Sequence, residues 1–335
     1  MSALLPLLGG LVLLMVGGEL LVRGSVRLAE RMGVSPLLIG LTLVGFGTST
    51  PELVASVQAA LIGSPGIAVG NIVGSNIVNI FLIMGVSALI CPLAVKSSAL
   101  KRDGGVVLGS ALLFAAAAWT VGLTRPVGAA FALLLVGYLV YAYRTERVAT
   151  DGHTAAFEKA EAAEAADPAL RPRSAEGTGS LAWIIPAATA LAGLAVIILG
   201  GRFLVDGAVS LARVVGLSEE VIGLTVVAAG TSAPELVTSL VAAFRRQSEV
   251  ALGNVLGSNI YNALGIGGLT AVIAPTPVPA QIAGFDIPVM IGASVLLLVF
   301  AWSGRRLSRL EGGVLLAAYV TYVAYLLLAH AGGGT

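Results

Sequence analysis

The sequence predicts an all-α polytopic membrane protein whose ten transmembrane helices form two inverted five-helix repeats. Three observations lead there. Apolar residues make up 57% of the chain and charged residues 11%, against roughly 25% charge in a soluble domain. Ten apolar segments approach the roughly 20 residues that a span requires: about 4–26, 35–62, 67–91, 103–123, 127–143, 181–208, 217–243, 250–273, 284–302 and 312–330. Residues 40–80 also match residues 223–263 at a constant offset of 183, with 22 identities in 41 positions and no gap. Each half holds five spans, an odd number, so the second copy enters the membrane from the opposite face. Such inverted repeats place a binding site near the midplane, between the halves.

The first repeat is read as residues 1–144, a polar linker as 145–179 and the second repeat as 180–335. The N-terminus has no basic segment or cleavage pattern, so the first apolar stretch is expected to remain as a helix. Lys and Arg crowd into alternate loops, fifteen against two. The richer side includes Arg27, Lys101, Arg147, Arg245 and Arg306, whereas the opposite loops hold Arg125 and Arg213. By the positive-inside rule both termini then lie outside the cytoplasm and the 145–179 linker lies within it. Cys91 is the single cysteine, which excludes an internal disulfide and a cysteine metal cluster.

In helix 1, Glu19 and Arg23 stand four residues apart, as do Arg202 and Asp206 in helix 6, so each pair can neutralise itself on one helix face. Helices 2 and 7 carry Gly47-Thr48-Ser49-Thr50-Pro51-Glu52 and Gly230-Thr231-Ser232-Ala233-Pro234-Glu235. A proline inside a span removes a backbone donor and breaks the helix. Ser49, Thr50 or Ser232 is expected to cap the half-helix that follows, with proline in its first turn. The upstream half-helices are expected to end near Gly45 and Ala228 and to leave carbonyls unpaired there. Each break thus gathers carbonyls, hydroxyls and a carboxylate, the oxygen ligands that hard cations prefer.

Helices 3 and 8 contain Gly70-x-x-x-Gly74-Ser75-Asn76-x-x-Asn79 and Gly253-x-x-x-Gly257-Ser258-Asn259-x-x-Asn262. The glycine spacing permits close helix approach, and Ser75 with Asn79, like Ser258 with Asn262, shares one helix face. Asn71, Asn76, Asn254 and Asn259 read as interhelical glue. Helices 4, 5, 9 and 10 read as scaffold or as an oligomer surface, with Asp286 at a membrane interface and Trp119, Trp183 and Trp302 as interface anchors. The linker contains the helix-prone run 157–164 and reads as a solvated connection.

These paired motifs resemble the cation/calcium exchanger superfamily, most closely its prokaryotic sodium/calcium exchangers. The resemblance implies a secondary antiporter in a prokaryotic cytoplasmic membrane, exchanging Ca2+ for Na+ by alternating access, with helices 2, 3, 7 and 8 as the ion-binding core and helices 1 and 6 sliding across it. It implies metal ligands at Thr48, Ser49, Glu52, Ser75 and Asn79, at Thr231, Ser232, Glu235 and Ser258, and at the carbonyls of Gly45 and Ala228. Asn262 completes the candidate set but stands where many sodium/calcium exchangers have an aspartate, leaving two carboxylates rather than three. The ligands implied are the transported ions Ca2+ and Na+, with no cofactor, no nucleic acid and the lipid bilayer as surroundings. Proton-coupled Ca2+ exchange is an alternative, since a buried glutamate can also be neutralised by a proton. A cation channel and an intramembrane hydrolase fit less well: His153 lies in the linker, His330 stands at the very end of the last span, and no Gly-x-Ser-x-Gly elbow is present.

Overall fold

The computed structural model describes residues 3–95, 100–147, 153–171 and 181–331. Lys96, Arg173 and parts of the 145–179 linker lie outside the described residues. The chain begins with α1 (Leu4–Arg31), followed by α2 (36–47) and α3 (Thr50–Leu61), which are separated by a turn at Thr48-Ser49. Next come α4 (Pro65–Ile90), α5 (Arg102–Thr120) and α6 (Arg125–Glu146). A helix within the linker, α7 (Ala155–Ala166), precedes α8 (Leu181–Val215). α9 (Glu219–Thr231) and α10 (Ala233–Phe244) meet at a 48° bend at Ser232. α11 (248–273), α12 (Ile282–Ser303) and α13 (Arg309–Ala331) complete the bundle. A short antiparallel pairing of Leu93-Ala94 with Arg306-Leu307 ties the end of α4 to the start of α13. Among the described residues, seven helices are long and apolar enough to cross a membrane, or eight if the bent pair α9–α10 counts as one span.

α1 and α8 form a close antiparallel pair through glycines spaced seven residues apart. A methyl group at Gly10, Gly17 or Gly24 would stand 2.3, 2.6 or 2.5 Å from backbone nitrogens of Leu204, Ile197 or Ala190. Gly193, Gly200 and Gly207 approach Leu21, Leu14 and Leu7 in the same way. In a bilayer, where apolar burial between helices gives little drive, such backbone proximity is what packing requires. Of the two charge pairs, Arg23 meets Glu19 in an ion pair and also reaches Asp167, beyond the end of α7, at 2.8 Å.

The breaks fall where the prolines direct them, with Pro51 and Pro234 in the first turns of α3 and α10. The expected hydroxyl caps do not form: the Ser49 and Ser232 side chains make no bond to the helix that follows, and only their carbonyls accept from Leu53 N and Leu236 N. Their hydroxyls are committed to carboxylates across the repeat, and a hydroxyl has one proton to donate. The upstream half-helices also run further than Gly45 and Ala228, to Gly47 and Thr231. π-turns interrupt the helices at 40–44, 78–84, 223–227 and 261–266, so Asn79 and Asn262 both stand in π-turns. Single π-turns of this kind collect at functional sites.

Two further expectations are corrected. Asp286 is fully buried and accepts a hydrogen bond from the Tyr322 hydroxyl at 2.8 Å, which secures it inside the bundle instead of at an interface. The linker run is not a solvated connection. α7 is buried along Ala155, Ala156, Ala160, Ala162 and Ala163, because these small side chains let it enter between α2, α10 and α11. Trp119, Trp183 and Trp302 are exposed on the outside of the bundle.

Candidate cation site

Glu52 and Glu235 follow the two prolines, so each sits in the first turn of a half-helix, and both are 1% exposed. Each is held by the other repeat. Ser232 Oγ donates to Glu52 Oε1 at 3.1 Å, and Ser49 Oγ donates to Glu235 Oε1 at 2.9 Å. The crossed pair locks the two breaks against each other. Behind them, Asn71 Nδ2 donates to the Glu52 carbonyl at 3.0 Å and to Ser56 Oγ at 2.9 Å. Asn254 Nδ2 does the same for the Glu235 carbonyl at 3.1 Å, with Thr238 and Ser239 hydroxyls at 2.8 and 2.7 Å. These two amides, read from the sequence as glue, fix the backbone from which the carboxylates project.

The remaining candidates are distributed as follows. Ser75, Asn79, Ser258 and Asn262 are buried on α4 and α11. Asn79 Nδ2 donates to Asn259 Oδ1 at 3.0 Å across the two helices. The Ala228 carbonyl accepts from Ser232 N at 3.0 Å, so it is satisfied locally. Gly45 packs against Tyr261, whose hydroxyl would lie 3.3 Å from a side chain placed there. Glu52 Oε2, Glu235 Oε2, Ser75 Oγ, Asn79 Oδ1 and both polar atoms of Asn262 have no hydrogen-bond partner despite full burial. Buried polar atoms are ordinarily satisfied. Unpartnered carboxylate oxygens on Glu52 and Glu235, with further unpartnered polar atoms on Ser75, Asn79 and Asn262, suit a cation that takes oxygen ligands.

Lys159 on α7 enters this group and was not foreseen from the sequence. Its side chain is 0% exposed. Nζ donates to Thr48 Oγ1 at 2.7 Å, Ser258 Oγ at 2.6 Å and Glu235 Oε1 at 3.2 Å, which uses all three ammonium protons. Three of its partners are thus residues expected to bind metal. The available signal was a run of alanines around one lysine, which the neighbouring glutamates disguise as a solvated helix. Beside the site, a cavity of about 480 Å3 runs between α1, α7 and α10, with Glu19, Arg23 and Asp167 on its wall and Thr48 and Thr238 within reach.

The chain matches the family model described as sodium/calcium exchanger protein over residues 2–144 and 185–328. It is 37% identical to CaxA of Alkalimonas amylolytica, named as a candidate antiporter, over 95% of this chain and 96% of that one. The sodium/calcium exchanger MaX1 of Methanosarcina acetivorans is 36% identical, covering 96% and 97% of the two chains. Among solved structures, the sodium-calcium exchanger NCX_Mj soaked with Na+ and Sr2+ superposes with a TM-score of 0.60 at 30% identity, over 96% of this chain and 97% of the other. Duplicated Pro-Glu breaks, two buried carboxylates crossed between the repeats and similarity across nearly the whole length lead to one conclusion: the chain belongs to the sodium/calcium exchanger family.

Proposed function

We propose that this chain is a secondary antiporter that exchanges Ca2+ for Na+ by alternating access across a prokaryotic cytoplasmic membrane. The observation that carries this reading is the crossed Ser–Glu pairing, which sets two buried carboxylates among oxygens without partners. Two ionised glutamates balance one Ca2+, whereas Na+ must enter more than once to match or exceed that charge. The ligand set we assign is the carboxylates of Glu52 and Glu235, the side chains of Thr48, Ser49, Ser75, Asn79, Thr231, Ser232, Ser258 and Asn262, and the carbonyls of Gly45 and Ala228. On this reading the chain is two inverted five-helix repeats, 1–144 and 180–335, with ten membrane segments in which α2–α3 and α9–α10 each form one broken span. Both termini face outward and the 145–179 linker is cytoplasmic. The glycine-paired α1 and α8 are the unit that slides, since they pack on each other more intimately than on the core. Residues with a catalytic role are not part of this reading.

Ca2+ flux into vesicles of the purified protein, driven by Na+ and H+ gradients in turn, tests it. Uptake that follows the Na+ gradient supports the exchange. Uptake that follows only the H+ gradient would replace Na+ with protons as the coupling ion. Flux without any counter-ion gradient would indicate a channel.

A further inference from the structure

The two repeats share a sequence pattern but are not in the same state, and α7 accounts for the difference. In the first repeat, Gly70 and Gly74 of α4 receive α9 directly: a methyl at Gly74 would stand 2.6 Å from the Leu224 carbonyl oxygen. The equivalent glycines of α11, Gly253 and Gly257, receive α7 instead. A methyl at Gly253 would stand 2.0 Å from a carboxylate oxygen of Glu158, and one at Gly257 would stand 2.9 Å from the Ala155 carbonyl oxygen. On its other side α7 faces Gly40 of α2, whose nearest contacts are Ala160 and Glu164. The linker helix is therefore wedged where α2 would otherwise pack on α11.

The hydrogen bonds record the same asymmetry. Thr231 Oγ1 donates to Asn71 Oδ1 at 3.0 Å, closing its side of the site. The equivalent Thr48 bonds Lys159, and Asn254 Oδ1 is left without a partner. Lys159 thus replaces both a helix contact and a cation: its ammonium stands among Thr48, Glu235 and Ser258. Both ends of the wedge are fastened. Ala155 N donates to Asp103 at 3.1 Å and Thr154 N to Glu146 at 2.5 Å at its start. Arg23 of α1 donates to Asp167 at 2.8 and 3.2 Å just beyond its end.

We infer that α7 is a tethered plug, an autoinhibitory element whose Lys159 ammonium occupies the transported-cation site and holds the linker-side half of the transporter open. The inference rests on the cation-exchange reading of the site. A transported ion and Lys159 compete for Glu235, Thr48 and Ser258, so ion binding expels α7. Expulsion frees α2 to close on Gly253 and Gly257, and Thr48 to take up Asn254, as Thr231 does Asn71. The fastening to Arg23 links this release to α1, the helix assigned to slide.

The test uses the full-length protein in nanodiscs with Ca2+ alone as the probe. Equilibrium Ca2+ binding is measured for the wild type and for Lys159→Gln. Hydrogen exchange of the 155–166 amides is followed in the wild type with and without saturating Ca2+. If about a tenth of the wild type is unplugged at rest, Lys159→Gln tightens the apparent Kd about tenfold, and Ca2+ deprotects 155–166 in the wild type. An unchanged or weakened Kd, or a helix that stays protected at saturating Ca2+, overturns the plug. The exchange reading fails separately: Ca2+ that displaces α7 yet crosses vesicles without a Na+ gradient refutes exchange and keeps the plug. Na+-driven flux with α7 still protected does the reverse.

Discussion

Glu52 and Glu235 each spend one oxygen on a serine from the opposite repeat and keep the other without a partner. That division lets the serine set the angle of the carboxylate, and on the proposed exchange the other oxygen would take an ion. Glu52→Gln and Glu235→Gln keep the shape and the serine contact but remove one of two charges. Losing a desolvated charge partner costs about 3 kcal/mol, or roughly a hundredfold in affinity. Each substitution should abolish Ca2+ uptake at low Ca2+ while the purified protein keeps its elution profile and helicity; wild-type uptake would remove both residues from the site. These residues were legible because the motif occurs twice, and an intramembrane carboxylate after a proline has few structural uses. Lys159 was not legible. One lysine among glutamates and alanines reads equally as a solvated helix, and no local rule brings residue 159 to residue 235. Asp286 misled for a related reason: its partner Tyr322 lies 36 residues away.

At the scale of elements, the glycine pairs of α4 and α11 have the same spacing but opposite consequences when filled. Gly74 separates two spans, so Gly74→Leu must overpack the bundle at about 1–3 kcal/mol and reduce both yield and transport. Gly257 separates a span from α7, so Gly257→Leu should expel the linker helix and leave the spans intact. Proteolysis of the linker and apparent Ca2+ affinity would report this; a Gly257 variant as damaged as the Gly74 variant would argue that α7 is part of the core. α7 also carries Glu158, whose carboxyl is held well above the ordinary range by burial first, then by Asp103 and Glu249, with Glu161 adding to this and Arg102 opposing it. The docked helix therefore binds the proton more tightly than the free one. Docking is favoured at low pH and weakens as pH rises through the window from the ordinary carboxylate value to the raised one. Protection of 155–166, corrected for intrinsic exchange, should fall across that window, and Glu158→Gln should flatten the profile. The helices themselves followed from apolar length, and the breaks from proline. The failed serine caps did not, because they depend on carboxylates in the other half of the chain.

The whole molecule joins a symmetric site to an asymmetric scaffold. Both carboxylates are crossed in the same manner, yet one side of the bundle is closed by α9 and the other is filled by α7. If the proposed plug holds, alternation would exchange which glycine pair is covered, with bound ions taking the place of Lys159. Charge follows from the ligand count. On the proposed exchange, Asn262 leaves two carboxylates, so one Ca2+ neutralises the site; if three Na+ replace it, as the resemblance to sodium/calcium exchangers implies, the site carries one excess positive charge. Each cycle would then move one net charge, worth roughly 2.3 kcal/mol per 100 mV. The most direct measurement is the steady Ca2+ accumulation ratio of proteoliposomes under a fixed Na+ gradient, with the potential clamped by K+ and valinomycin. The account predicts that Ca2+ concentrates against its gradient, tracks the Na+ gradient, and shifts with voltage as one charge per cycle requires. Accumulation that ignores Na+, or collapses only when a protonophore is added, would contradict it.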